Sequence, residues 1–191
     1  MPKKALDTNI IVYSLLEEHP ASTVCDALIR NPKYTFYTTP LTPFEAYFVL
    51  RRVYNVAKEE ASRKALALFA SPLRFTKIGA EDAKVALQRC ITHDIDANDS
   101  LLIQASSEAE IPSLTSDDRK LLDVCEEEGI HPQTPITEEH RKKMQRWEEE
   151  KLAPSGPPRL LKRMHSWLEK AHPKTAQRFF EATSGLRRLP D

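Results

Sequence analysis

The stretch ALDTNIIVY, residues 5–13, sets one acid, Asp7, between an apolar lead-in (Ala5, Leu6) and an apolar follow-on (Ile10, Ile11, Val12). KKAL just before it reads as a short buried strand, and Asn9 to about Glu18 is apolar at helical spacing until Pro20 stops it. Asp7 therefore marks a strand-to-helix junction. The same grammar repeats outward along the chain. YTFYTT (34–39) is β-branched and aromatic and reads as a strand, followed by a helix from Pro43 to about Tyr54. LRFTKI (73–78) predicts an edge strand, and IPSLT (111–115) a strand start before the helix DRKLLDVCEEEG, closed by Gly129. Helices are predicted over Ala21–Arg30, Ala57–Ala70, Ala80–Ile91 and Asp99–Ala109, with DIDAN (94–98) as a loop. Strands alternating with helices predict an α/β fold, with a mostly parallel sheet covered on both faces.

Bulk properties narrow the class. Apolar residues make up 40% and charged residues 29% of the 191, as in ordinary globular proteins. No apolar run approaches the roughly 18–20 residues that a membrane span requires, and MPKKALDTN lacks the apolar core of a secretion signal. Cys25, Cys90 and Cys125 are odd in number and far apart, which fits free thiols in a reducing cytoplasm better than a disulfide framework or a zinc site.

Net charge is zero but unevenly spread. Residues 1–137 carry 15 Lys and Arg against 20 Asp and Glu, whereas residues 138–191 carry 13 against 8. This predicts an acidic body, 1–137, and a basic helical C-terminal extension, 138–191. Within the extension EEHRKKMQRWEEEKL is a charged helix, APSGPP (153–158) a linker, and RLLKRMHSWLEKA a basic amphipathic helix, with a last helix after Pro173. Two readings of the extension stand side by side: a solvated appendage, or a surface that attracts a polyanion. For Trp147, Trp167, Phe179 and Phe180, packing within the extension is the simpler expectation.

Four acids sit at equivalent places. Asp7 and Asp117 each follow a strand and begin a helix, Glu45 lies in the first turn after YTFYTT, and Asp99 opens DSLLIQAS with Leu102 and Ile103 at i+3 and i+4. Each alone has a plain explanation. Asp7 fits an N-cap, Thr42-Pro43-Phe44-Glu45 fits a capping box, and Asp99 and Asp117 offset a helix dipole. Together they gather at the strand C-terminal edge of a parallel sheet, where ligands bind. Carboxylates crowded there repel one another, and a divalent cation relieves that repulsion. An all-oxygen donor set points to Mg²⁺ or Mn²⁺ rather than zinc.

LDTN, TPFE, NDSLLIQAS (98–106) and LTSDDRKLL (114–122) occur in the order and spacing of a PIN domain, and the chain resembles the single-domain PIN ribonucleases that include VapC-type toxins. The resemblance covers about residues 3–135. It implies an α/β/α sandwich, with Asp7, Glu45, Asp99 and Asp117 as the catalytic acids and Asp7, Asp99 and Asp117 as metal ligands. Thr8 and Asn9 match the polar neighbours of the first acid, and Thr115 the hydroxyl residue before the last. The acid after LTS is doubled, so Asp118 is an alternative to Asp117, and Asp96 is an additional candidate. The resemblance further implies Mg²⁺- or Mn²⁺-dependent endoribonuclease activity leaving a 5′-phosphate, RNA as substrate, a cognate antitoxin as partner, and pairing into a homodimer through the helices between 43 and 70.

An acidic site needs basic flanks to attract RNA. Arg51 and Arg52, Arg119 and Lys120, and Arg163 in the extension are the candidates. Two further readings differ in class or substrate: a catalytically quiet RNA-binding or assembly module, and a non-toxin PIN nuclease that processes RNA. His93 lies near the DID loop and reads as an ordinary surface residue.

Overall fold

The computed structural model describes residues 1–152, 167–170 and 172–183. The predicted linker 153–158 and Arg163 lie outside the described residues. The chain forms two compact units, Met1–Trp147 and Glu148–Asp191.

In the first unit β1 (Lys3–Leu6) leads into α1 (Thr8–Leu15) and α2 (Ser22–Ile29), and β2 (Thr35–Thr38) into α3 (Thr42–Arg52) and α4 (Lys58–Ala67). The chain continues through β3 (Arg74–Phe75), α5 (Ala80–His93), α6 (Ala97–Glu108), β4 (Ser113–Thr115), α7 (Arg119–Glu127) and β5 (His131–Gln133). The helix α8 (Glu138–Lys151) follows and ends past the boundary between the units.

The five strands are ordered β3-β2-β1-β4-β5, and every neighbouring pair is parallel. The fold is thus α/β with a wholly parallel sheet. β1 lies at the centre, with Ala5 against Tyr37 on one side and Leu114 on the other. The chain builds the sheet outward from β1 in one direction, then returns to add β4 and β5 on the other side. That reversal opens a crevice beyond the C-terminal ends of β1 and β4.

Alternation along the strands makes two cores. Leu6 and Phe36 face one cluster, with Ile10, Ile11 and Val12 of α1, Cys25 of α2, Ala46 and Leu50 of α3, and Met144 of α8. Ala5 and Leu114 face the other, with Leu102 and Ile103 of α6 and Leu121, Val124 and Cys125 of α7. A sheet apolar on both faces needs helices on both. α6 is buried continuously from Ser100 to Ser106, because it lies under α5 as well as on the sheet.

β3 is an edge strand, as the alternation of LRFTKI predicts, but only two residues pair. β5 is unpredicted: HPQ offers a proline and no β-branched residue, and the register Ser113–His131 comes from its neighbour. Gly129 adopts φ 75 after α7, and this left-handed residue turns the chain into β5.

The charged helix that opens the predicted extension begins as part of the first unit. Met144 is buried in the α1–α3 core, and Trp147 packs edge-on against His19, with ring centroids 5.1 Å apart, and against Tyr54 at 6.0 Å. Trp147 therefore packs on the body, whereas Trp167, in the second unit, is 63% exposed. Among the described residues no helix is long and apolar enough to cross a membrane.

Candidate active site

Asp7 follows β1 directly, and its backbone N–H extends the ladder by donating to the Thr115 carbonyl at 3.0 Å. It occupies the N-cap position of α1, yet its side chain does not cap. The carboxylate is buried instead, and its Oδ2 accepts from Ser116 Oγ at 2.6 Å. The plain reading of Asp7 as a cap is thereby overturned. Glu45 does not close a capping box either: the N-cap of α3 is Leu41, the Thr42 hydroxyl bonds the hydroxyls of Thr38 and Thr39, and Glu45 Oε2 accepts from Thr8 Oγ1 at 2.5 Å. Both acids forgo local helix-end roles for contacts across the crevice.

Asp99 lies half-buried in the first turn of α6. Asp96 is the N-cap of that helix, exposed, and accepts from the Asn98 N–H at 2.8 Å, so it serves the helix end.

The doubled acid separates into two roles. Asp117 Oδ1 pairs with Arg141 Nη2 of α8 at 2.6 Å, and Tyr13 OH donates to its Oδ2 at 3.4 Å. Its charge is felt at Cys25 of α2. Asp118 has different partners. It caps α7, but both cap bonds, from the N–H groups of Lys120 and Leu121, fall on the one oxygen Oδ1. Its charge acts on both Asp7 and Asp99. The structure thus brings Asp7, Glu45, Asp99 and Asp118 into one electrostatic neighbourhood, while Asp117 pairs with Arg141. Adjacent residues in a turn point to different sides, and Arg141 claims the first of the two.

Asp7 and Asp99 are both held well above the ordinary carboxylate range. Burial is the largest cause for each. Glu45 and Asp118 raise both further, and Asp99 also feels Asp7 and Asp96. The Ser116 hydroxyl and the Thr8 backbone pull Asp7 partly back. None of the strongest influences on either acid is a basic side chain.

Ser116 is the hub that sequence reading missed. It is fully buried, donates to Asp7, and accepts from Asn9 Nδ2 at 3.2 Å and from the Asp118 N–H at 2.9 Å. The neighbouring Thr115, singled out by its place before the acids, has a buried hydroxyl with no partner among the described residues. Asn9 also accepts from the Asp117 N–H at 3.3 Å, so the polar neighbours of Asp7 hold the far turn in register.

The oxygen-only donor set fits a hard divalent cation. Among the described residues no three acidic, His or Cys side chains already converge on one ion position. Three of the four acids rest on a nearby donor instead: Asp7 on Ser116, Glu45 on Thr8 and Asp118 on the start of α7.

The predicted basic flank is only partly exposed. Arg51 donates to the Val56 carbonyl at 2.6 Å and ties down the end of α3, a structural use that takes it from the surface. Arg52 is exposed, with its guanidinium 5.1 Å from the Phe48 ring. Arg119 pairs with Glu138 at 3.0 Å, and Lys120 bonds the Asp94 carbonyl and pairs with its carboxylate at 2.6 Å, both at the surface. His93 lies within reach of Glu127 and Glu128, in keeping with a peripheral role.

The PIN domain profile matches residues 4–127. The fold is similar to that of a chain in the crystal structure of VapBC2 from Rickettsia felis bound to a DNA fragment from their promoter. The TM-score is 0.50 and the identity 18%, over 69% of this chain and 98% of that one, so the likeness is one of fold. No curated protein matches the chain.

Proposed function

The chain belongs to the PIN domain family, and from that premise we propose that it is a metal-dependent endoribonuclease, a hydrolase of RNA phosphodiester bonds. The observation that carries this reading is the buried carboxylate potential at the switch point of the sheet. Asp7 and Asp99 are destabilised as anions by burial and by acidic neighbours, which dominate over any basic side chain. A fold has no structural use for such a cluster, and a divalent cation relieves it.

In this reading Asp7, Asp99 and Asp118 hold the cation, with Asp118 in the role that sequence reading assigns to Asp117. Bound there, Mg²⁺ or Mn²⁺ supplies concentrated positive charge for polarising a phosphate oxygen and making water more acidic. Ser116 fixes the rotation of the Asp7 carboxylate, and Thr8 aims Glu45 at the crevice. Glu45 accepts a proton from the attacking water, whose oxygen bonds to phosphorus as the P–O3′ bond breaks, and the departing 3′-oxygen takes a proton from solvent, leaving a 5′-phosphate and a 3′-hydroxyl. Arg52, Arg119 and Lys120 supply phosphate contacts. The surface ion pairs of the last two exchange at little cost, since exposed pairs contribute roughly 0–1 kcal/mol.

The cellular role that fits is the toxin of a toxin–antitoxin pair acting in the cytoplasm, with the antitoxin as its protein partner and a homodimer as its working form. The fold shared with a chain of VapBC2 supports it. The residues beyond the PIN match favour a second reading, a processing nuclease with an added segment. Growth arrest on expression, relieved by a neighbouring gene product, separates the two.

The primary test is cleavage of a labelled RNA with Mn²⁺, with and without EDTA. The native protein cuts only with the ion present, and Asp7→Asn cuts at background rate while keeping its circular dichroism spectrum. Undiminished cleavage by the folded Asp7→Asn protein would refute the assignment.

A further inference from the structure

The turn 116–118 carries the acid nearest the doubled-carboxylate choice, and something must decide which of the two faces the crevice. From the crevice side Ser116 and Asn9 bind its backbone: the Asp118 N–H donates to Ser116 Oγ at 2.9 Å and the Asp117 N–H to Asn9 Oδ1 at 3.3 Å. From the far side the grip comes from α8. Arg141 pairs with Asp117 Oδ1 at 2.6 Å, and its guanidinium lies 3.5 Å from the Asp117 carbonyl oxygen. Tyr13 OH steadies the other oxygen. The Asp117 side chain is only 9% exposed, so an unpaired charge there is strongly disfavoured.

Arg141 itself is anchored. Met144 and Trp147, three and six residues on, pack into the body, and Glu138 lies 3.6 Å from the Arg141 Nε. All of this lies beyond residue 127, where the PIN match ends.

We propose that Arg141 is a positioning residue of the candidate cation site: by holding Asp117 on the far side of the turn it presents Asp118 to Asp7 and Asp99. The inference rests on the cation reading above, and it makes α8 part of the active-site architecture. A planar guanidinium suits the task because it engages a side-chain and a main-chain oxygen of one residue at once.

The test uses the full chain in four forms: native, Arg141→Gln, Arg141→Lys and Asp117→Asn. Two readouts are taken, Mn²⁺ affinity by calorimetry and, without metal, the amide NMR shifts of Ser116, Asp118 and Leu121. Arg141→Gln is expected to weaken Mn²⁺ binding about ten- to hundredfold, the range seen when groups orienting metal ligands are removed. Its three amide signals move, and Arg141→Lys recovers part of both effects. Asp117→Asn, which removes the anion but keeps the shape, moves the same amides and guards against loss of fold in Arg141→Gln. Equal Mn²⁺ affinity in native and folded Arg141→Gln overturns the positioning role while the cation reading stands. Moved amides with no Mn²⁺ binding by the native chain overturn the cation reading and confine Arg141 to shaping the turn. Unmoved amides in both variants overturn the inference outright.

Discussion

At the scale of single residues, the site is a matter of where each carboxylate finds its hydrogen bonds. Ser116 Oγ joins Asp7, Asn9 and the Asp118 backbone. Ser116→Ala leaves a buried acceptor on Asp7 unsatisfied, and urea unfolding should show a loss of about 1–3 kcal/mol. Asp118→Asn separates function from structure. Asparagine caps helices as well as aspartate, so the melting temperature should hold while Mn²⁺ affinity falls. Asp7, Glu45 and Asp99 were legible in the sequence because each stands at a strand exit or in a first helical turn. The choice between Asp117 and Asp118 was not. In our proposal it depends on Arg141, an arginine in a charged helix whose place against the turn no local pattern encodes. Ser116 was hidden for a similar reason: a serine beside a threonine carries no sign of which hydroxyl turns inward.

At the scale of elements, patterning predicted the sheet's central strands and the helices around them. It failed for β5, whose three residues pair only because β4 offers an open edge. Gly129 is the device that brings β5 there. A Cβ at this position meets nothing within 4 Å, yet its φ of 75 is strained for any L residue. Gly129→Ala should cost about 1 kcal/mol in chemical denaturation, with no effect from crowding. The connection after α1 makes a pH-dependent contribution. His19 is buried, stacked on Tyr13 at 4.4 Å and edge-on to Trp147, and burial lowers its pKa from 6.5 to about 4. The unfolded chain thus binds a proton that the folded one refuses. Stability should fall as pH drops from about 6.5, with the loss reaching about 3 kcal/mol below pH 4. Thermal melts of His19→Phe against the native protein, from pH 7.5 to 4.5, check the sign.

At the scale of the whole molecule, the division of charge at residue 137 suggested a body and an appendage, but the compact unit runs to Trp147. The composition of EEHRKKMQRWEEEK is that of a solvated helix, and only Met144 and Trp147 betray a buried side. A chain ending at Trp147 should unfold cooperatively. One ending at Thr137 loses Arg141, Met144 and Trp147, and calorimetry should show a lower melting temperature. The proposed cation binding is likewise a property of the assembled crevice. Because Asp7 and Asp99 hold their protons more tightly than ordinary carboxylates, loading with Mn²⁺ near neutrality should release protons. Calorimetry in buffers of different ionisation enthalpy measures that release.

The position of β1 in the middle of the sheet has a consequence for biosynthesis. Its right-hand neighbour is the fourth strand, and the Asp7–Ser116 bond spans 109 residues. Such distant pairing is slow to form. Until residue 116 has been made, Asp7 lacks the hydroxyl that fixes its carboxylate, so the crevice takes shape only once β4 has joined the sheet.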